Sequence, residues 1–179
     1  MKNGTEHDMT QGAVAVPLIG FTIPLVLGNF FQLFYNAVDS IIVGRYVGES
    51  ALAAVGTSTP VMNLVILLIS GLCMGASILM SSQFGAGNYE QLSRQISTTL
   101  LSGCGFSIGF SVLTILLSEP LLRLIQVPKE VMPDALVYLR IIFIGILFTF
   151  IYNFLANTLR ALGDSKTPLY FLVASAILN

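Results

Sequence analysis

Between Asn29 and Asp39 the chain reads NFFQLFYNAVD, and its polar members Asn29, Gln32, Asn36 and Asp39 recur at steps of three, four and three. At about 100° per residue these four side chains fall in one wedge of a helix. The rest of that helix is Leu, Phe, Val and Ala, so a polar stripe ending in a carboxylate has no place against lipid. It is expected to face a protein interior or a water-filled cavity, where it would bind rather than make or break bonds. A second set, Asn153, Asn157, Arg160 and Asp164, recurs at four, three and four. These also share one helix face. Arg160 and Asp164 are expected to lie beyond the membrane, which leaves Asn153 and Asn157 at membrane depth. There they either serve a site or simply hydrogen-bond between helices.

Composition sets the class. Of 179 residues, 55% are hydrophobic and 9% charged, with mean hydropathy +0.85. Soluble domains carry about 25% charged residues, so the chain reads as an integral membrane protein. A net charge of -1 argues against nucleic acid as a partner. Cys73 and Cys104 sit within apolar runs and read as small buried side chains rather than a disulfide. Enzyme chemistry has little to work with. No His/Cys/Glu cluster has metal-ligand spacing, and the only histidine, His7, lies in the polar N-terminal tail. No serine or cysteine nucleophile therefore has a base, and no second intramembrane carboxylate is paired with Asp39.

The elements that must carry the stripes follow from the apolar runs. Residues 1–11 form a polar tail without the pattern of a cleaved signal, because the uncharged run from Met9 to Val38 is far longer than a signal core. Residues 12–179 read as one membrane domain. Its helices are expected at about 13–47, 52–84, 92–118, 133–162 and 167–179. The first is too long to stand straight and upright in about 30 Å of hydrocarbon, and Pro17 and Pro24 offer kinks. The apolar residues after Asp39 carry it past the aspartate, so Asp39 lies a turn or two inside the membrane. Thr57-Ser-Thr-Pro60 bends the second helix. Gly71, Gly75, Ser77, Ser81 and Ser82 read as packing residues, as does Gly105-Phe-Ser-Ile-Gly109. Phe84-Gly-Ala-Gly-Asn88 is a turn and helix stop. Glu119-Pro120 is read as the end of the third helix, with an interfacial segment from Leu121 to Met132. Pro133-Asp134 opens the fourth, and Arg140, two turns in, is expected to snorkel. The last helix is too short to span, so the chain is expected to be a fragment. Lys2, Arg94, Arg160 and Lys166 fall on one side and Arg45, Arg123 and Lys129 on the other, with Arg140 in the helix nearest them; the near balance tips toward a cytoplasmic N-terminus.

Four stretches carry a resemblance: NAVDSIIVGRYVGESALAAVG at 36 to 56, GASILMSSQFGAGN at 75 to 88, ALVYLRI at 135 to 141 and LRALGDSKTP at 159 to 168. In order and spacing they resemble the signature segments of the multidrug and toxic compound extrusion (MATE) transporters. The resemblance covers nearly the whole chain beyond the tail. It implies an all-α membrane protein. Four full helices and a truncated fifth would come from the N-terminal lobe of a twelve-helix transporter whose two lobes face a central cleft. It also implies a multi-pass protein of the cell (plasma or inner) membrane, not an enzyme. That protein would export small cationic, lipophilic drugs and toxic metabolites in exchange for Na+ or H+ and need no other cofactor. Its partners would be the lipid bilayer and the remaining helices of the same transporter.

Residue by residue, Asp39 matches the family's acidic coupling residue on the first helix. Asn179 is similar to the asparagine that opens the Asn-x-x-x-Asp motif of the fifth. Asn153 and Asn157 fall on the stretch that hydrogen-bonds around the acidic pocket, and Gln32, Tyr35 and Asn36 would line the same cavity. Asp39 and Asn179 would then be ligands to Na+ where that is the coupling ion. Physics is compatible with this. A carboxylate enclosed at low dielectric takes up a proton or cation readily, and amide oxygens can complete the shell of a hard cation. Two alternatives stand beside it. One is a lipid-linked saccharide flippase of the same superfamily, which calls for a strongly basic cavity. The other is an inactive truncated membrane product.

Overall fold

In the computed structural model, residues 15–178 are described, with side chains described from residue 18 to residue 175. Six helices follow one another: α1 Ala15–Tyr46, α2 Glu49–Gly85, α3 Tyr89–Leu124, α4 Met132–Ile144, α5 Ile146–Ala161 and α6 Lys166–Leu178. No strand occurs among the described residues. Short connections join them, so successive long helices run antiparallel. Three helices, α1, α2 and α3, are long and apolar enough to cross a membrane, and α4 with α5 makes a fourth if the bent pair is one span. The chain is an all-α membrane bundle. The tail at 1–11 and Asn179 lie outside the described residues.

The core lies between α2, α3, α4 and α5. On α2, Ala54, Ser58, Val61, Val65, Ile69, Cys73 and Met80 are buried, a stripe with helical spacing that faces inward. It meets Leu139 and Phe143 of α4, Ile146, Phe150 and Phe154 of α5, and Leu92 and Leu122 of α3. Ser58, Ser107 and Ser118 are fully buried among them, small enough to bring backbones close. By contrast α1 stands at the side. Of its described side chains only Pro24 is buried, and it packs mainly on α6 and more lightly on α2. Residues such as Leu33, Phe34 and Ile41 stay open, which suits lipid or further protein.

Two expected boundaries move. The stretch from 133 to 162 is not one helix but α4 and α5, bent by 47° about Gly145. Gly145 has φ -74 and ψ -3, short of the helical ψ near -42°. Beside the break the Ser111 hydroxyl of α3 donates to the Phe143 carbonyl at 2.6 Å, a side chain inserted where the backbone ladder turns. No proline marks this place, so nothing local announces it. Conversely, α3 does not end at Glu119-Pro120. It runs through Pro120 to Leu124, taking in the first part of the segment read as interfacial. Proline removes only its own donor, while the buried Leu122 and the Arg123–Glu119 ion pair at 2.7 Å hold the following turn.

Close packing is also not where the motifs place it. A Cβ added at Gly71, Gly75, Gly105 or Gly109 meets nothing within 4 Å, whereas one at Gly103 meets the Phe150 ring at 2.0 Å. Gly28 lies against Leu169 and Leu172, and Gly44 against Leu52. Spacing of small residues identifies a face that permits approach. Which face is used depends on the neighbouring helix.

Candidate functional site

One cavity of about 690 Å³ opens where α1, α2, α5 and α6 meet. Each wall comes from a recognisable pattern. From α1 come Pro24, Leu25, Gly28, Asn29 and Gln32, the first half of the polar stripe. From α2 come Ile66, Ser70 and Met74. The α5 wall includes Thr149, Tyr152, Asn153, Asn157 and Arg160, and one end is closed by Ser165 of the turn before α6 with Pro168 and Leu169 of α6. The bend at Gly145 aims this wall. It lets α5 leave the line of α4 and lie against α2 while its amide face looks toward α1.

Hydrogen bonds fix the α5 amides. Asn153 Nδ2 donates to the Thr149 carbonyl and Asn157 Nδ2 to the Asn153 carbonyl, each at 2.8 Å. Ser70 Oγ of α2 donates to Asn153 Oδ1 at 3.1 Å. Each asparagine therefore uses its amide nitrogen along its own helix. Asn153 joins α5 to α2, and the Asn157 oxygen remains for the cavity.

The expected site residues divide. Gln32, Asn153 and Asn157 come together on the cavity, with Asn29. Tyr35, Asn36 and Asp39 are not among its lining residues. Asp39 lies seven residues before the end of α1 at Tyr46, about 10 Å at 1.5 Å per residue. Its side chain is exposed, not enclosed. Seven residues, about two turns, separate it from Gln32 along α1. The stripe is one face in sequence, yet only half of it faces the cavity, because α6 covers α1 near Gly28. Asn179 lies outside the described residues.

Arg160 is a lining residue that sequence reasoning did not assign to the site. Expected beyond the membrane, it lines the cavity and is the only charged side chain among the described lining residues. Its spacing of three from Asn157 was the available signal. Sequence also supplies Asp164 at i+4, the usual ion-pair partner. In the structure Asp164 turns to α6 instead. Its Oδ1 accepts from the backbone N–H of Lys166 and of Thr167, each at 3.0 Å, and its Oδ2 from the Thr167 hydroxyl. Gly163, at φ +89, supplies the left-handed turn that this hairpin needs and that side chains resist.

Burial pushes the Asp164 carboxyl up, but the Thr167 and Lys166 hydrogen bonds and the Lys166 charge outweigh it and hold the group below its usual range. A carboxyl depressed in the folded state stabilises above its unfolded value near 4 and loses that contribution as pH falls. Asp164→Ala is expected to cost roughly 1 kcal/mol, as for loss of a helix cap. Thermal melts followed by circular dichroism should show the cost at pH 7 and little of it near pH 3. An equal deficit at both pH values would exclude the cap as its cause.

A model of the MatE family matches residues 24–179. The chain belongs to the MatE family. This MatE chain is 40% identical over 173 residues to the probable multidrug resistance protein YpnP of Bacillus subtilis (strain 168), covering 97% of this chain and 39% of that protein. It is 35% identical over 159 residues to the probable multidrug resistance protein YoeA of the same organism, covering 89% of this chain and 34% of the other. Among solved structures it is similar in fold to a MOP superfamily transporter from Pyrococcus furiosus. There the TM-score is 0.89 at 24% identity, over 99% of this chain and 39% of that one. The MatE chain thus spans about two fifths of the length of the relatives it matches. Its six helices correspond in fold to part of that Pyrococcus furiosus chain.

Proposed function

We propose that this chain forms part of a multidrug exporter of the cell membrane, not an enzyme, and that the exporter runs on exchange with Na+ or H+. The observation that carries this is the cavity. In a bundle whose surface is apolar, four helices converge on amides and hydroxyls, with room for a small lipophilic molecule. The relatives' names support drug export, and the resemblance supports a cationic, lipophilic cargo. Asp39 is the residue that the resemblance assigns to coupling, and Asn153, Asn157 and Asn179 are the amides it assigns to the same pocket; of these, Asn153 and Asn157 line the cavity, which Asp39 does not. Na+ requires several oxygen ligands, whereas a proton requires only the carboxylate, so either ion suits a site built on one acid. A cytoplasmic N-terminus places Arg94, Arg160 and Lys166 on the inner side.

If cation and drug favour different states of the lobe, each opposes the other's occupancy through that equilibrium. The test is accumulation of a fluorescent cationic dye in everted membrane vesicles expressing the protein, with an imposed Na+ or H+ gradient. Accumulation that collapses with the gradient is expected. Accumulation indifferent to both gradients would overturn the coupling.

A second reading, a lipid-linked saccharide flippase, draws on Arg160 being the one charged side chain among the described lining residues of the cavity. It calls for binding of a pyrophosphate-linked lipid and for no effect of an ion gradient on drug movement.

A further inference from the structure

Among the described residues, Ser111 is the one hydroxyl that donates to the backbone of another helix. Thr22, Thr57, Thr59, Ser102, Thr114 and Ser118 each donate to a carbonyl three or four residues back on their own helix, a common habit of such side chains. Ser111 instead donates from α3 to the Phe143 carbonyl of α4 at 2.6 Å, two residues before the bend at Gly145. In an apolar interior a carbonyl turned out of its helical ladder is costly unless it finds a donor. With the Ser111 hydroxyl in place, the turned-out geometry is the satisfied one. Gly145 works in the same direction. A Cβ there would lie 3.1 Å from the Ile142 carbonyl, so the missing side chain leaves that carbonyl room.

The α5 wall of the cavity hangs from this point. Gly145, Thr149, Asn153 and Asn157 recur at steps of four. The Thr149 N–H and hydroxyl both donate to the Gly145 carbonyl, at 3.0 and 3.2 Å. Asn153 Nδ2 donates to the Thr149 carbonyl and Asn157 Nδ2 to that of Asn153. Three lining side chains are thus tied to the backbone one below the other, and they swing with α5 as one piece. Asn157 lies 12 residues beyond Gly145, about 18 Å along the helix. A change of about 10° in the bend therefore carries it about 3 Å relative to α1.

We propose that Ser111 is a positioning residue for the cavity. Its bond to Phe143 holds the α4–α5 bend, and the bend sets the width of the cavity and so the size of solute that fits. This rests on the reading that the cavity holds solute.

Tetraethylammonium and tetrabutylammonium, which differ in girth and share one charge, serve as probes in titration calorimetry of the protein in maltoside micelles. Genetically encoded spin labels at Leu33 of α1 and Leu155 of α5, both exposed among the described residues, report the separation of the walls by double electron–electron resonance. Ser111→Ala is expected to shift that distance by about 2–3 Å. It should also change the ratio of the two dissociation constants at least about fourfold, the worth of one buried methylene. The larger ion gains where the distance lengthens and loses where it shortens. Gly145→Ala, which favours a regular helix, should move both readings in the same sense. Ser111→Thr keeps the hydroxyl and should leave both near those of the unsubstituted protein. Ser111→Cys, a weaker donor of similar size, should give a smaller shift in the sense of Ser111→Ala, and supplies the reading where the alanine variant does not fold. Ser102→Ala removes a hydroxyl that bonds only within α3 and should move neither.

An unchanged distance in Ser111→Ala overturns the proposal and leaves the bend to Phe150 seated on Gly103. A shifted distance with an unchanged ratio overturns it as well, since width then selects nothing. In both cases the two ions still bind and the cavity reading stands. Where the unsubstituted protein binds neither ion, the cavity reading falls and takes the proposal with it.

Discussion

Asp39→Asn is expected to abolish gradient-driven dye accumulation in vesicles while leaving the protein's amount and its melting temperature unchanged. The substitution keeps size and polarity, and removes only the capacity to take up a proton or neutralise a cation. Asp39 lies within an apolar helix that continues two turns past it to Tyr46, and at membrane depth an ionisable side chain would be expensive unless it functions. Its side chain is exposed, so the exchange to asparagine disturbs no packing. Coupling between two sites is typically worth about 5–150-fold. The gradient-dependent component should therefore fall at least to the lower end of that range. Accumulation that still follows the gradient would remove Asp39 from coupling and direct attention to other carboxylates of the transporter.

The second large effect concerns folding. Gly103 of α3 faces Phe150 of α5, and a Cβ at Gly103 would lie 2.0 Å from the ring. Phe150 is 5% exposed and stacks on Phe154 at 5.8 Å, so the ring has no open direction in which to swing. Gly103→Ala is expected to cost about 1–3 kcal/mol and Gly103→Leu more, as for overpacked cores generally. Gly105→Ala and Gly109→Ala, with nothing within 4 Å, should be neutral or slightly stabilising, since alanine is the better helix former. Thermal unfolding in micelles ranks the four variants. Phe150→Ala should relieve Gly103→Leu, giving a double variant more stable than the sum of the two losses. A Gly103→Ala melting temperature equal to that of the unsubstituted chain would sink the contact.

These two cases show what was legible before the structure. The stripe on α1 was visible because helical periodicity is local, and so was the continuation of α1 beyond Asp39. The division of that stripe was not visible. Gln32 meets the cavity and Asp39 does not, because the position of α6 across α1 decides where the wall ends. Likewise the G-x-x-x-G at Gly105 and Gly109 was easy to read, yet the glycine in contact is Gly103. The bend at Gly145 lacks a proline and involves Ser111, 34 positions earlier.

By itself, the sequence determined membrane character, helical class and family. Hydropathy, period and signature order are properties of neighbouring residues along the chain. It also placed Asn153, Asn157 and Arg160 on one helix face. Only the tertiary structure decided that Arg160 faces the cavity without its acid. An i+4 spacing makes the pairing with Asp164 possible. The first turn of α6, whose N–H groups need an acceptor, takes that carboxylate instead.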